Sequence, residues 1–378
     1  MILGIDTSTY FEEENAGAKY FGKNGDLVEP LDKFVENGVD YMRIRLWVNP
    51  YSEKNHLPYL GGTCDLDNFI RLAKLALKKK YKIILDFHYS DFWCDPSKQF
   101  IPKDWASLNR EELIKRIYDY TLEVLKTISN ENIPLYGIQI GNEITNGMLW
   151  PIGKLIDKGK DNKRGNYSAL CSLIKSAEKA CKTVYPKSLI ILHLERSCDK
   201  KVYQEFFDEM RKKHVHYDII GASYYPYYHG TIKDVISNLV SLRKEFHKKV
   251  MVMELGYAFT TIDYLTEYSG NEKQLVLNDE FIKDKKHYIP YPLTPEGQKD
   301  FLKEFLTACR LNKIDGVFYW EPLWIPGKNI CWTSKEGQEY INETFKSTRN
   351  EWVNQALYDY KGQALIALDV FSNKGEKI

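Results

Sequence analysis

No run of about 18 apolar residues occurs in the 378-residue chain, so nothing in it reads as a membrane-spanning helix. An excess of one charge is also missing: 53 Lys and Arg stand against 52 Asp and Glu, for a net charge of +1. No basic stripe is interleaved with aromatics, so nucleic acid is not expected as a partner. The local runs Lys78-Lys79-Lys80 and Lys285-Lys286 read as solvated helix ends and loops. Cysteines are few and unpatterned. There are seven, at 64, 94, 171, 181, 198, 309 and 331, without a CxxC or any metal-ligand spacing. An odd, scattered set points to free thiols rather than a disulfide framework. A Ser/Gly linker, a low-complexity tract and an internal repeat are all absent, so one domain over residues 1–378 is expected. Met1 leads straight into Ile2-Leu3-Gly4 without a basic leader. That beginning is expected of a cytoplasmic chain, or of a secreted one whose signal peptide has been removed.

What the chain does hold is a core and a surplus of aromatics. Hydrophobic residues make up 43% and charged residues 28%, the balance of a globular protein with a sizeable interior. Aromatics reach 14%, with 27 Tyr and 8 Trp. Exposed aromatic faces stack on flat apolar surfaces such as sugar rings, so the surplus hints at a glycan cleft.

Short β-type runs alternate with helix-period segments from end to end. The strand candidates are Ile2–Asp6, Tyr41–Val48, Lys82–His88, Leu135–Asn142, Leu189–Leu194, Asp218–Tyr224, Val250–Glu254 and Asp315–Trp320. Eight such runs separated by helical patterns favour an α/β fold, a single closed (β/α)8 TIM barrel. Leu113, Ile114, Ile117, Tyr118, Leu122 and Leu125 form one apolar stripe. Asp67 precedes a second stripe, Phe69-Ile70-Ala73-Leu77, as a candidate cap. Thr294-Pro295 is a capping hydroxyl followed by Pro at the first helical position.

Such a barrel carries its chemistry where the strands end, at the C-terminal face. Strand one ends at Asp6-Thr7-Ser8, and strand two carries Arg43, Arg45 and Trp47. Strand three leads into Asp86-Phe87-His88-Tyr89-Ser90-Asp91-Phe92-Trp93, and strand four into Asn142-Glu143. His193 and Glu195 follow on strand five, Ser223-Tyr224-Tyr225 on six, Glu254 on seven and Tyr319-Trp320-Glu321-Pro322-Leu323-Trp324 on eight. Glutamates ending strands four and seven face one another across the mouth. Retaining glycosidases need two carboxyls roughly 5–5.5 Å apart, one as nucleophile and one as acid/base. Each polar group alone has a plainer reading. Glu143 can cap the next helix, His193 can be a satisfied core histidine, Glu195 can lie on the surface, and at least one of Arg43 and Arg45 can be a structural ion pair. No phosphate-cradling glycine loop follows the last two strands, which disfavours a metabolic barrel. A binding barrel has no need of both Glu143 and Glu254.

The chain resembles the arabinogalactan endo-β-1,4-galactanases of glycoside hydrolase family 53, retaining (β/α)8 enzymes. Seven motifs in order carry the resemblance: Glu14-Asn15-Ala16-Gly17, Arg45-Leu46-Trp47-Val48-Asn49-Pro50, Asp86 through Trp93, Gln139-Ile140-Gly141-Asn142-Glu143-Ile144, Gly147-Met148-Leu149-Trp150-Pro151, Ser223-Tyr224-Tyr225-Pro226 and Gly316 through Pro322. The resemblance implies that Glu143 is the acid/base, Asn142 the group on the sugar 2-hydroxyl and Glu254 the nucleophile, kept ionised by neighbours such as Arg45. It further implies substrate contacts from Arg45, Trp47, His88, Asp91, Trp93, His193, Tyr225, Trp320 and Trp324. A galactan substrate and a monomer without a required cofactor are expected. The rival within the clan is another β-glycanase specificity, for mannan or xylan. Departures from the family pattern are Glu254-Leu255-Gly256-Tyr257-Ala258 after the nucleophile, Tyr228 in place of Trp and Glu195 in place of Asp. Some bacterial members bind calcium in the loop after strand seven. Here Thr261 through Tyr268 lacks alternating oxygen ligands, which leaves calcium open and no metal ligand assigned.

Overall fold

The computed structural model describes residues 1–155, 157–158, 163–265, 275–342 and 349–372, with backbone alone for 157–158 and 163–164. Eight parallel strands, β1 (Ile2–Asp6), β2 (Tyr41–Leu46), β3 (Lys82–Phe87), β4 (Leu135–Ile140), β5 (Leu189–Leu194), β6 (Ile219–Tyr224), β7 (Lys249–Leu255) and β8 (Gly316–Trp320), close into a barrel. Neighbours follow chain order, and β8 pairs with β1 to close the ring. The expected eight-stranded barrel is present. The runs read as ending at Val48, His88 and Asn142 leave the sheet one or two residues earlier, where the backbone turns into the mouth loops.

Alternation along each strand sorts the barrel interior into layers. At its floor Tyr41, Ile84, Ile191, Ile219, Met251, Met253 and Phe318 pack together, all buried. One register step higher the inward residues turn polar: Asp6, Arg43, Asp86, Gln139, His193 and Ser223, none of them exposed. Gly4 makes the layering fit, since a Cβ there would sit 2.2 Å from the Phe318 ring. An irregularity re-aims the seventh strand. Ala222 pairs with Val252 but Ser223 with Glu254, so Met253 is an extra residue, a bulge. Met253 joins the floor, and strict alternation would then turn Glu254 outward. The bulge brings Glu254 to the mouth beside Ser223 instead.

The helices α1 (Pro30–Glu36), α2 (Leu66–Lys78), α3 (Arg110–Asn130), α4 (Tyr167–Val184), α5 (Lys200–Lys212), α6 (Ile232–Phe246) and α7 (Pro295–Leu311) wrap the strands and bury a second, larger core against their outer faces. Two local expectations need correction. The cap of α2 is Asp65, whose side chain accepts from Asn68 N at 2.8 Å; Asp67 lies inside the first turn. On α3 the buried face is Leu113, Ile117, Tyr120, Thr121, Val124, Leu125 and Ile128, so Tyr118 and Leu122 fall to its flanks. A face read over two turns drifts as the helix lengthens, because 3.6 residues per turn is not a whole number. Thr294 caps α7 as expected, accepting from Gly297 N at 3.1 Å. No helix among the described residues is long and apolar enough to cross a membrane.

All seven cysteines are free thiols, six buried and Cys198 half-buried. Burial raises the pKa of Cys171 to about 11 and of Cys198 to about 12, so neither forms thiolate readily near neutrality. A reductant should therefore leave the thermal melting temperature nearly unchanged. A large drop on reduction would reveal a stabilising disulfide.

Candidate active site

The polar layer is built around Arg43. Its guanidinium meets five acceptors, four through hydrogen bonds and the fifth, Asp86, as an ion pair. Nη1 donates to Asp6 Oδ2 at 2.8 Å and Glu254 Oε1 at 3.1 Å. Nη2 donates to Asn142 Oδ1 at 2.7 Å and is in ion-pair contact with Asp86 Oδ2 at 2.7 Å, and Nε donates to Gln139 Oε1 at 3.1 Å. Arg45, one step nearer the mouth, shares Asp6 through Nη1 at 2.9 Å and meets Glu321 through Nη2 at 2.5 Å. The cation near Glu254 is thus Arg43, and the expectation that placed Arg45 there is corrected. Both arginines are structural ion pairs, and Arg43 is in addition a ligand of the carboxylate. Arg45 lies beneath the ring of Trp93, 4.3 Å from its centroid.

Above this layer opens a cavity of about 760 Å³. Of the residues expected at the site, Arg45, His88, Trp93, Asn142, Glu143, Tyr225, Glu254, Trp320 and Trp324 line it. Trp47, Asp91 and His193 do not; all three are fully buried. Trp47 Nε1 donates to His88 Nδ1 at 3.2 Å, Asp91 accepts from Asn49 N at 2.9 Å and Lys103 N at 2.8 Å, and His193 lies behind Asn142. They shape the site from outside the cavity. Glu195 and Tyr228 line it, so Glu195 is not a surface residue. Trp332 and Trp352 also line it and extend the aromatic wall.

The loop after β4 turns sharply at Gly141 (φ 77°) and again at Glu143 (φ 49°), which lifts the Glu143 side chain into the cavity. Glu143 makes no capping hydrogen bond; its Oε1 lies 2.5 Å from Ser223 Oγ. Gln99 pins the turn from behind, donating through Nε2 to Asn142 O at 2.7 Å. Nothing in the sequence singled out Gln99, because its role depends on where a distant loop comes to rest. Glu254 Oε2 accepts from Tyr225 Oη at 3.1 Å. Tyr225 fits there because residue 256 is glycine: a Cβ would stand 2.8 Å from the Tyr225 ring. The altered sequence after Glu254 thus leaves room for its partner.

An oxygen of Glu143, an oxygen of Glu254 and a ring nitrogen of His193 all lie within 4.8 Å of one another. The two carboxyls differ in electrostatics. Burial, then Glu254 and Glu195, holds Glu143 well above the ordinary glutamate range. Burial also raises Glu254, but Arg43 opposes it and limits the rise to about 6. Near neutrality one is an acid and the other an anion, the pairing that double displacement at a glycosidic carbon requires. His88 is neutral: Nδ1 accepts from Trp47 Nε1 and from Cys94 N, at 3.1 Å, and Nε2 donates to Asp86 Oδ2 at 3.1 Å. Among the described residues, Glu143, His193 and Glu254 are the group close enough to hold a metal ion, and they are the carboxyl pair itself with its neighbour. Of the loop considered for calcium, residues 266–268 lie outside the described residues. Asp263 in that loop meets Arg349 Nη2 at 2.5 Å and accepts from the backbone N–H groups of Leu265 and Leu275.

If Arg43 holds Glu254 ionised, Arg43→Lys should raise the acid limb of kcat/KM for hydrolysis by roughly one pH unit. A lysine keeps the charge but cannot reproduce the fork. Arg45→Lys should leave that limb in place. A shift confined to the Arg45 variant would return the role to Arg45.

Residues 2–371 match the model of Glycosyl hydrolase family 53. An endo-beta-1,4-galactanase of Bacillus subtilis (strain 168) is 31% identical, the match covering 98% of this chain and 85% of that protein. An arabinogalactan endo-beta-1,4-galactanase of Thermothelomyces thermophilus is 29% identical over 97% of this chain and 98% of that one. Among solved structures, the GH53 catalytic domain of Ignisphaera aggregans superposes with a TM-score of 0.85 at 34% identity, covering 98% of this chain and 95% of that chain. The barrel, the paired carboxyls at the ends of β4 and β7, and a match over nearly all of its length place this chain in glycosyl hydrolase family 53.

Proposed function

We propose that the protein is a retaining endo-β-1,4-galactanase that hydrolyses the galactan chains of type I arabinogalactan. One observation carries the mechanism: two carboxyls with oxygens within 4.8 Å, one kept protonated and the other paired with Arg43. That separation suits direct attack, whereas an inverting pair stands about 6.5–9.5 Å apart to admit a water. The names of the relatives support galactan as the substrate.

Glu254 attacks the anomeric carbon, and the glycosidic C–O bond breaks as Glu143 passes its proton to the departing oxygen. A covalent galactosyl-enzyme results, with the glycosyl carbon esterified to Glu254. Water then attacks the same carbon from the face the leaving group vacated, giving a proton back to Glu143 and freeing the Glu254 carboxylate. Two inversions retain the β configuration. Each proton and bond in this cycle is handled by a side chain, so the cycle itself calls for no cofactor. Asn142, its amide oriented by Arg43, presents toward the reacting sugar. Trp93, Trp320 and Trp324, with mutual ring separations of 5.6–6.0 Å, offer stacking faces for sugar rings. Trp47, Asp91 and His193 act on substrate through the groups they hold. We take residues 1–378 to work as one catalytic domain and as a monomer.

On a panel of polysaccharides, unbranched β-1,4-galactan should be cleaved fastest, with an early fall in viscosity and release of short oligosaccharides. Equal or faster turnover of mannan, xylan or cellulose would overturn the substrate assignment. Arabinose side chains should slow cleavage, because a branch must find room beside the indole faces.

A further inference from the structure

Counting hydrogens around Glu143 assigns to His193 and Ser223 a task that the mechanism above does not include. Arg43 Nη2 donates to Asn142 Oδ1 at 2.7 Å, and Asn142 Nδ2 donates to Cys94 O at 2.8 Å. The amide orientation is therefore settled, and Oδ1 is an acceptor. His193 Nδ1 stands 2.8 Å from that same oxygen, so this nitrogen must carry a hydrogen. Gln139 Nε2 also approaches Nδ1, at 3.2 Å, but its two hydrogens go to closer acceptors, Asp86 Oδ1 at 2.6 Å and Gly141 O at 3.0 Å. Burial holds His193 neutral, and Arg43, His88 and His229 disfavour a second proton, together outweighing the Glu143 and Glu254 carboxyls within 4.8 Å of the ring. Nε2 is then a bare acceptor, and the Ser223 hydroxyl reaches it at 2.9 Å. That uses the only hydrogen Ser223 has. Yet Ser223 Oγ also lies 2.5 Å from Glu143 Oε1. The hydrogen in that last contact has to be Glu143's own.

We infer that His193 and Ser223 are positioning residues for the acid/base: the Ser223 hydroxyl points at His193 while Glu143 holds its proton and swings to Glu143 once the proton has gone. This rests on Glu143 being the acid/base. No proton moves along the chain, and only the hydroxyl rotates. In the first half-reaction the acid form is held by two hydrogen bonds in series, Glu143 to Ser223 and Ser223 to His193. In the second, the ionised carboxylate receives the Ser223 hydrogen, and His193 Nε2 is left without a donor. That unpaired nitrogen opposes early loss of the proton and favours its return. One serine thus serves both protonation states of a residue that must be acid and then base.

The test uses the alkaline limb of kcat/KM on galactan, which reports loss of the proton from the acid/base. The other titratable groups facing Glu143 are Glu254 on β7, Glu195 beyond β5, Asp95 beyond β3, Tyr225 beyond β6 and Tyr203 on α5, and all stay unchanged. His193→Asn keeps a donor near Nδ1 but removes the acceptor at Nε2. The freed serine hydroxyl then stabilises the carboxylate, and the limb should move down by roughly one pH unit. His193→Gln keeps an acceptor where Nε2 stood and should leave the limb near its original position. In a Ser223→Ala background, His193→Asn should no longer move it. The inference is overturned if both histidine variants move the limb alike, or if the His193→Asn shift persists without the serine. Glu143→Gln separates the two levels. If the alkaline limb survives in that variant, Glu143 is not the acid, and the underlying reading fails rather than the relay.

Discussion

Everything at the barrel mouth depends on one buried guanidinium that is held on five sides. An arginine sealed away from water is costly unless its donors are all met, and removing a partner strands the remaining charges. Arg43 offsets the cost with four hydrogen bonds and an ion pair to Asp86, its partners coming from four other strands or the turns that follow them. The consequences run in two directions. Toward β7 it stabilises the Glu254 carboxylate and holds its pKa to about 6 despite burial. Toward β4 it fixes the Asn142 amide, which fixes the His193 tautomer and, through Ser223, the proton on Glu143. Glu254 and Glu143 take opposite protonation states because the same cation is in contact with one and linked to the other only through neutral groups. A lysine, with a compact charge and no planar fork, could not serve both.

Charge elsewhere in the layer follows the same economy. Two arginines cannot neutralise Asp6, Asp86, Glu254 and Glu321 at once, and burial lifts Glu321 to about 7. Thr9 Oγ1 stands 2.7 Å from both Glu13 Oε1 and Glu321 Oε2, although its single hydrogen can serve only one. At least one of these carboxyls must hold a proton to complete the contacts. Protons rather than further cations thus offset part of the negative charge on the β1–β8 side. The ionised carboxylate is retained where the chemistry needs it.

The fold was legible because its signals are local. Eight β-type runs, the Thr294-Pro295 start and the residues at strand ends can all be read within a few positions. Partners were not legible in the same way. Arg43 and Arg45 alternate onto one face, and alternation alone cannot say which of them reaches Glu254, 211 positions from Arg43. The answer depends on barrel stagger and on the extra residue at Met253, a bulge without a composition signature. Trp47 and Asp91 are site residues by motif and His193 by its place on β5, yet all three stand behind the cavity wall. A motif marks what a site requires but does not distinguish touching substrate from holding the residue that does. Gln99 carried no signal because it acts through backbone carbonyls, for which any well-placed amide would serve.

The division of labour between Glu143 and Glu254 is the claim on which the rest stands, and azide separates the two roles by stereochemistry. With an aryl galactobioside whose phenol leaves without help, Glu143→Ala should still form the glycosyl-enzyme, and azide should capture it as the β-galactosyl azide, after two inversions. Glu254→Ala has no nucleophile to offer, and azide entering in its place should give the α-azide, after one. Identifying the anomer from each variant by proton NMR decides the matter: β from Glu143→Ala and α from Glu254→Ala is the predicted result. The opposite pair of products would exchange the two roles and contradict the electrostatic asymmetry that Arg43 imposes.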